Sequence, residues 1–313
     1  MTAPAGPSPS DMAAAVAALR AGDLVAFPTE TVYGLGADAR NPDALRKIYA
    51  LKGRPSTHPL ILHLPSVQSL KDWVASVPPA AAQLATRFWP GPLTLVLRRA
   101  AHVSDVLTGG QDTVAVRVPA HPVARALLTA FDGGIAAPSA NRYGRVSPTS
   151  AAHVKEEFPE GLLVLEGGDC DVGLESTIVS LVESPPRLLR PGSISQADLE
   201  ATLGVPLRVG HDGSAPRVPG STPKHYAPQT PLELVPAGAL AAAESAANAR
   251  GERVATLPCP PNVRPADYGR TLYAQLRRLD KLGVSRILVE SVPDTADWDA
   301  VRDRLSRAAA TFQ

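Results

Sequence analysis

Apolar and polar positions along the chain fall into short runs of two periods. LVAF (24–27), LILHL (60–64), LTLVLRR (93–99), TVAVRVP (113–119), IAAP (135–138), LLVLEGG (162–168) and STIVSLV (176–182) read as strands. Helical spacing fills the intervals. An alanine-rich stretch capped by Ser10 or Asp11 stops at Gly22, and Asn41-Pro42 opens a helix through Ala50. SVQSLKDWV (66–74), PAAAQLATRF (79–88) and PVARALLTAF (122–131) follow, then a helix from Pro148 capped by Ser147 and one running from Ser195 to Gly204. Strands and helices alternate, but some strands succeed one another directly. That pattern predicts an α/β fold with a twisted mixed sheet and flanking helices.

The texture changes near residue 205. RVGHDGSAPRVPGSTPKHYAPQTP is dense in Pro, Gly and Ser and offers little to a core. Beyond it LELV, an alanine-rich helix, RVATLP, a helix at 267–282, RILVES and a last helix repeat a β-α rhythm. This suits a smaller three-layer, Rossmann-like domain with a parallel sheet. The expected organisation is a tail at 1–9, a domain at 10–207, a linker or lid at 208–230 and a second domain at 231–313.

Composition narrows the class. The 313 residues carry a formal charge of +1 and are 44% apolar, which describes a globular protein and not a basic nucleic-acid coat. No apolar run is long enough to span a membrane, and MTAPAGPSPSDM lacks the basic-then-apolar pattern of a secretory signal. Cys170 and Cys259 have no metal-ligand spacing and read as reduced thiols of a cytoplasmic protein.

Candidate chemistry gathers at strand ends. PTETVYGLG (28–36) leaves the first strand with Thr29, Glu30, Thr31 and Tyr33 ahead of a Gly34-Leu35-Gly36 turn; it matches neither a Walker loop nor a dinucleotide fingerprint. KGRPSTHPLILH (52–63) sets Lys52, Arg54 and His58 on a Gly/Pro loop and His63 inside the next strand. Arg is a planar fork and Lys a compact charge, so the pair suits an anionic ligand; solvated cations at a helix C-terminus, and a core histidine at 63, are the bland readings. Thr113, Ala115 and Arg117 share one strand face. APSANRYGRVSP (137–148) offers Ser139, Asn141 and Ser147 without a nucleophile elbow, and Ser176 and Arg190 flank two later strands. The acidic GGDCDVG reads as a solvated turn. Lys224, His225 and Tyr226 decorate the linker, as a closing lid would. Together these suit a triphosphate beside a small carboxylate.

In order, PTETVYGLG, KGRP with PLILH, WPGPLTLVL, VAVRVP, APSAN, ESTIVSL, RPG and KHYAP span residues 24 to 228. In this the chain resembles the two-domain threonylcarbamoyl-AMP synthases, a YrdC-like catalytic domain followed by a smaller C-terminal domain; the last third matches in size and rhythm only. The resemblance implies a cytoplasmic nucleotidyltransferase. L-threonine and bicarbonate would give a carbamate that attacks the ATP α-phosphate, releasing pyrophosphate and leaving threonylcarbamoyl-AMP for transfer-RNA modification. It implies Mg²⁺ carried by ATP and a functional link to a tRNA threonylcarbamoyl-transferase.

Carried onto this sequence, the family's threonine pocket falls on Thr31, His63, Arg117, Ala137 and Ser176. Its ATP contacts fall on Arg54, His58, Thr113, Ser139, Ser147, Arg190 and Tyr226. Lys52 and Arg54 would be the catalytic cations, with Lys52 on the phosphate side. The chain has His58 where the family commonly has asparagine, and VPGSTPKHYAP where a methionine more often follows SPG. The alternative is a structured-RNA-binding module without ATP turnover; near-zero net charge argues against strong RNA binding and leaves room for a weak one.

Overall fold

The computed structural model describes residues 6–213, 215–220 and 225–310. Lys224 and residues 1–5 of the expected tail lie outside the described residues. Among the described residues the first unit carries ten strands: β1 (Val25–Phe27), β2 (Gly34–Asp38), β3 (Ile61–His63), β4 (Leu93–Arg98), β5 (Thr113–Arg117), β6 (Ile135–Ala136), β7 (Leu163–Val164), β8 (Thr177–Ser180), β9 (Arg187–Arg190) and β10 (Arg208–Val209). They form one mixed sheet in the order β10-β9-β8-β4-β5-β3-β6-β2-β1-β7. The second unit holds β11 (Leu232–Val235), β12 (Val254–Leu257) and β13 (Arg286–Glu290) in a parallel sheet ordered β11-β13-β12. This is the α/β class expected, with the mixed sheet and the smaller parallel one.

Register decides what meets at the sheet's edge. β3 runs parallel to β5 with His63 opposite Arg117, and antiparallel to β6 with Leu62 opposite Ala136. β4 sets Leu93 opposite Thr177, and β8 sets Ile178 opposite Arg190. Residues as far apart in sequence as Leu62 and Arg190 thereby converge on one end of adjacent strands.

Local chemistry explains the entry to β3. Asn41 caps helix Pro42–Lys52 through Oδ1, accepting from the Asp43 and Ala44 amides, and Gly53 ends it in the left-handed conformation (φ 64°). Lys52 therefore sits on the last turn and Arg54 just past the stop.

The structure corrects several expectations. Gly34-Leu35-Gly36 is not a turn but the start of β2, antiparallel to β1. A Cβ on Gly36 would come within 2.8 Å of the Phe27 ring and 2.9 Å of Ile135, so the glycine admits a buried neighbour. Ser147 caps no helix: that helix is Ala151–Glu157, capped by Ser150 accepting from the His153 amide. The first helix is capped by Ser8, with Asp11 closing a capping box, and residues 67–72 form a 3-10 helix.

The two units share a core. Val32, Val146, Leu174 and Tyr226 pack into one apolar cluster with Tyr268, Leu272, Tyr273, Val301 and Leu305 of the second unit. The seam is close enough that a Cβ on Gly173 would lie 2.4 Å from the Arg270 carbonyl oxygen.

Candidate active site

At the converging strand ends lies a small buried cavity of about 50 Å³. Thr31, Arg54, His63, Arg117, Ala137, Ser139, Ser176, Arg190 and Tyr226, all expected from sequence, line it. So do Glu175 and the strap residues Pro219, Gly220 and His225. Lys52, His58, Thr113 and Ser147 are not among the lining residues.

Arg117 is buried in its valine strand and anchored on three sides. Its Nε donates to the Gly91 carbonyl at 3.2 Å, Nη1 donates to Thr31 Oγ1 at 2.9 Å, and Nη2 lies 2.8 Å from Glu30 Oε1. Glu30 also accepts from the Ala120 amide at 3.1 Å. Burial pushes the Glu30 carboxyl up, but the Arg117 charge outweighs it and holds the pKa below the usual value. His63, opposite Arg117, is driven down to about 3 by burial and by that same charge, so it is a neutral imidazole. Its Nδ1 and Arg54 Nε are buried without a hydrogen-bond partner among the described residues. Buried donors and acceptors are nearly always satisfied, so orphans facing one cavity mark a place for a polar ligand.

Arg190 organises the opposite wall. Nε donates to the Ser176 carbonyl at 3.0 Å, Nη2 to Ser176 Oγ at 3.1 Å, and Nη1 to the Pro219 carbonyl at 2.9 Å. The last bond fastens the strap over the cavity. Tyr226 follows it in the left-handed region (φ 62°), fully buried. Ordinary ligand pockets measure roughly 300–1,000 Å³, well above the volume of this cavity.

The remaining expected residues stand one step back. Lys52, expected on the phosphate side, is buried with Nζ donating to the Ser139 carbonyl at 2.5 Å and to the Asn141 carbonyl. Burial, seconded by Arg54, lowers its pKa well below the usual lysine value. In this state Lys52 supports the loop that carries Ser139. His58 Nδ1 is 3.2 Å from Tyr143 Oη, and the Tyr143 ring meets Arg54 at 5.8 Å and the His225 ring edge-on at 5.8 Å. Thr113 lies at the far end of β5 from Arg117, roughly 13 Å along the strand. There it lines a separate pocket with Ala215 and Pro216. Ser147 is buried and donates to Glu175 Oε1 at 2.5 Å.

Sequence reasoning underrated Glu30, Glu175 and Tyr143. Glu30 and Glu175 are buried, ion-paired carboxylates. Their signal was an acid beside a hydroxyl at a strand end, which a solvated turn shares; Tyr143 was an aromatic in a loop of small residues. Among the described residues no group of three or more His, Cys, Asp or Glu could hold a metal ion. No described helix is long and apolar enough to cross a membrane.

A family profile described as "Telomere recombination" matches residues 17–192, and one described as "Threonylcarbamoyl-AMP synthase, C-terminal domain" matches residues 194–310. A Pyrococcus abyssi protein named threonylcarbamoyl-AMP synthase is 40% identical over 93% of this chain and 92% of its own. A Bacillus subtilis protein of the same name is 40% identical over 95% of this chain and 92% of its own. The crystal structure of P. abyssi Sua5 complexed with L-threonine superposes with a TM-score of 0.89 at 37% identity, covering 96% of this chain and 94% of that one. With the ordered motifs, the matched profiles and full-length relatives agreeing, the chain belongs to the threonylcarbamoyl-AMP synthase family.

Proposed function

We propose that this protein is an L-threonylcarbamoyladenylate synthase, a nucleotidyltransferase that joins L-threonine, bicarbonate and ATP. The threonine amine and bicarbonate lose water to give a carbamate. A carbamate oxygen then attacks the ATP α-phosphorus and pyrophosphate leaves with the P–O bonding electrons. The observation that carries this reading is one cavity lined by three buried arginines, Arg54, Arg117 and Arg190, beside the hydroxyls of Thr31, Ser139 and Ser176. Cations there offset the repulsion among a carboxylate, a carbamate and a triphosphate, and stabilise charge at phosphorus.

Thr31, His63, Arg117, Ser176 and the backbone at Ala137 would take threonine. His63, neutral, offers the substrate hydroxyl a hydrogen bond without adding charge. Arg54, Ser139, Arg190 and Tyr226 would face ATP, with His58 and Ser147 as its flanks. Thr113 would join them if strap residues Ala215 and Pro216, which line its pocket, drew back. Magnesium would enter as the counter-ion of ATP. Neither buried carboxylate is spare for it, because Glu30 pairs with Arg117 and Glu175, which lines the cavity, with Arg304. The product would pass to a tRNA threonylcarbamoyl-transferase in the cytoplasm. The RNA-binding alternative gains no support from this site, because Arg54, Arg117 and Arg190 are buried and not on a surface that RNA could reach.

Pyrophosphate release from Mg²⁺-ATP tests the reading. It is expected only when both threonine and bicarbonate are present; release indifferent to threonine would break the substrate assignment, and none at all would break the reaction.

A further inference from the structure

Arg304 lies on helix Asp299–Ala310 of the second unit, and its side chain is fully buried at the seam with the first. Its Nε donates to Glu175 Oε2 at 2.8 Å, and Nη1 donates to the Pro191 carbonyl at 3.1 Å and to Asp303 Oδ2 at 2.7 Å. Tyr273, from helix Pro265–Asp280, donates to the same Glu175 Oε2 at 2.9 Å. On the other side Ser147 donates to Oε1 at 2.5 Å. Glu175 thus ends a chain of contacts that starts in the second unit, lines the cavity, and precedes Ser176, which Arg190 holds.

We infer that Arg304 is a positioning residue for the synthase reaction, through which the second domain keeps Glu175 and the serines beside it in place. The inference rests on the reading of the cavity as the ATP and threonine site. Burial of a carboxylate favours its neutral form, and a neutral Glu175 would itself become a donor and would accept only weakly from Ser147 and Tyr273. Arg304 and Tyr273 prevent that from the second unit, Arg190 from β9, and Ser147 from its loop. Tyr226 and His225 of the strap face the same group. The Arg304 guanidinium also lies 5.2 Å from the Tyr226 ring, so one side chain touches both the wall and the strap. Burial pushes the Glu175 carboxyl up, yet Arg304, Arg190 and the Ser147 hydrogen bond outweigh it and bring it down to about 2.

The test uses the full chain: wild type, Arg304→Met, Arg304→Lys and Tyr273→Phe, with kcat and both KM values from pyrophosphate release between about pH 5 and about pH 8. Relative to wild type, Arg304→Met is expected to raise the KM for ATP about tenfold near neutrality and more steeply as pH falls, because Glu175 then titrates in this range. Arg304→Lys should recover most of the loss, since it restores the charge. A merely structural role would lower kcat by the same factor at every pH; a folded Arg304→Met whose KM keeps the wild-type pH profile overturns the inference. If that variant does not fold, Tyr273→Phe carries the test, with an expected KM rise of about threefold and the same acid limb. A Tyr273→Phe profile identical to wild type then overturns it. Wild type lacking threonine-dependent release would instead break the parent reading, and calorimetric ATP binding across the same variants and pH values would then judge the positioning claim alone.

Discussion

Arg117 and Glu30 form a buried ion pair, Nη2 to Oε1 at 2.8 Å, within the strand-end cluster that also holds Thr31 and His63. An arginine in an apolar strand would be untenable unpaired. Paired, it is a cation fixed in one orientation at the cavity wall.

Arg117→Ala should therefore do two things. It should raise the KM for threonine far more than that for ATP, and it should destabilise the fold by about 3–5 kcal/mol by stranding Glu30. Parallel substrate titrations and a urea unfolding curve check both. Equal loss of ATP and threonine affinity would remove Arg117 from the threonine pocket.

Gly220 sits at φ 80°, and a Cβ there would lie 1.9 Å from Tyr226 Oη and 3.4 Å from Arg190. Gly220→Ala would suffer both the clash and the left-handed backbone. The strap could not then close as it does here, and kcat/KM for ATP should fall about tenfold or more. Steady-state pyrophosphate assays decide it, and an unchanged kcat/KM would show that strap closure contributes nothing to turnover.

Much of this was legible in the sequence because it is local. Asn41-Pro42 and Gly53 announce a helix and its stop, and the strand-end motifs arrive in family order. What was not legible is long-range. Ser147 reads as a helix cap or an ATP contact, and only the fold brings it to Glu175, 28 residues on, which accepts from it. Arg304 lies in RDRLSR, a pattern that reads as a solvated helix face; only the docking of the second unit brings it to a carboxylate 129 residues away. Gly34 and Gly36 look like a turn because the neighbours that demand small residues, Phe27, Ile135 and Ala137, belong to other segments.

Lys52 separates two roles cleanly. Its Nζ is held by the Ser139 and Asn141 carbonyls, so Lys52→Met should loosen the Ser139 loop and raise the KM for ATP about tenfold, with kcat falling alongside. A fall in kcat at constant KM would instead return Lys52 to the phosphate side, as a cation acting only in the transition state.

Acid sensitivity should set in early. His63 and His225 are both held down to about 3 from an ordinary value of 6.5, chiefly by burial. Above pH 6.5 both folded and unfolded chains leave them neutral, so they contribute nothing to the pH dependence. Below it the unfolded chain binds a proton at each site while the folded chain does not, and stability falls until about pH 3. At about pH 5.5 the loss is about 1.4 kcal/mol per histidine, or about 3 kcal/mol for the two. Glu175 adds to the decline only further down, once the unfolded carboxyl begins to protonate near 4.5. Urea unfolding at about pH 7.5 and about pH 5.5 should show at least this drop, to which His58, His121, His153 and His211, also lowered by burial, add, and His225→Gln should reduce it by about 1.4 kcal/mol. An equal drop in wild type and variant would mean that the strap histidine is protonated in the folded protein, and so that the strap is open in solution.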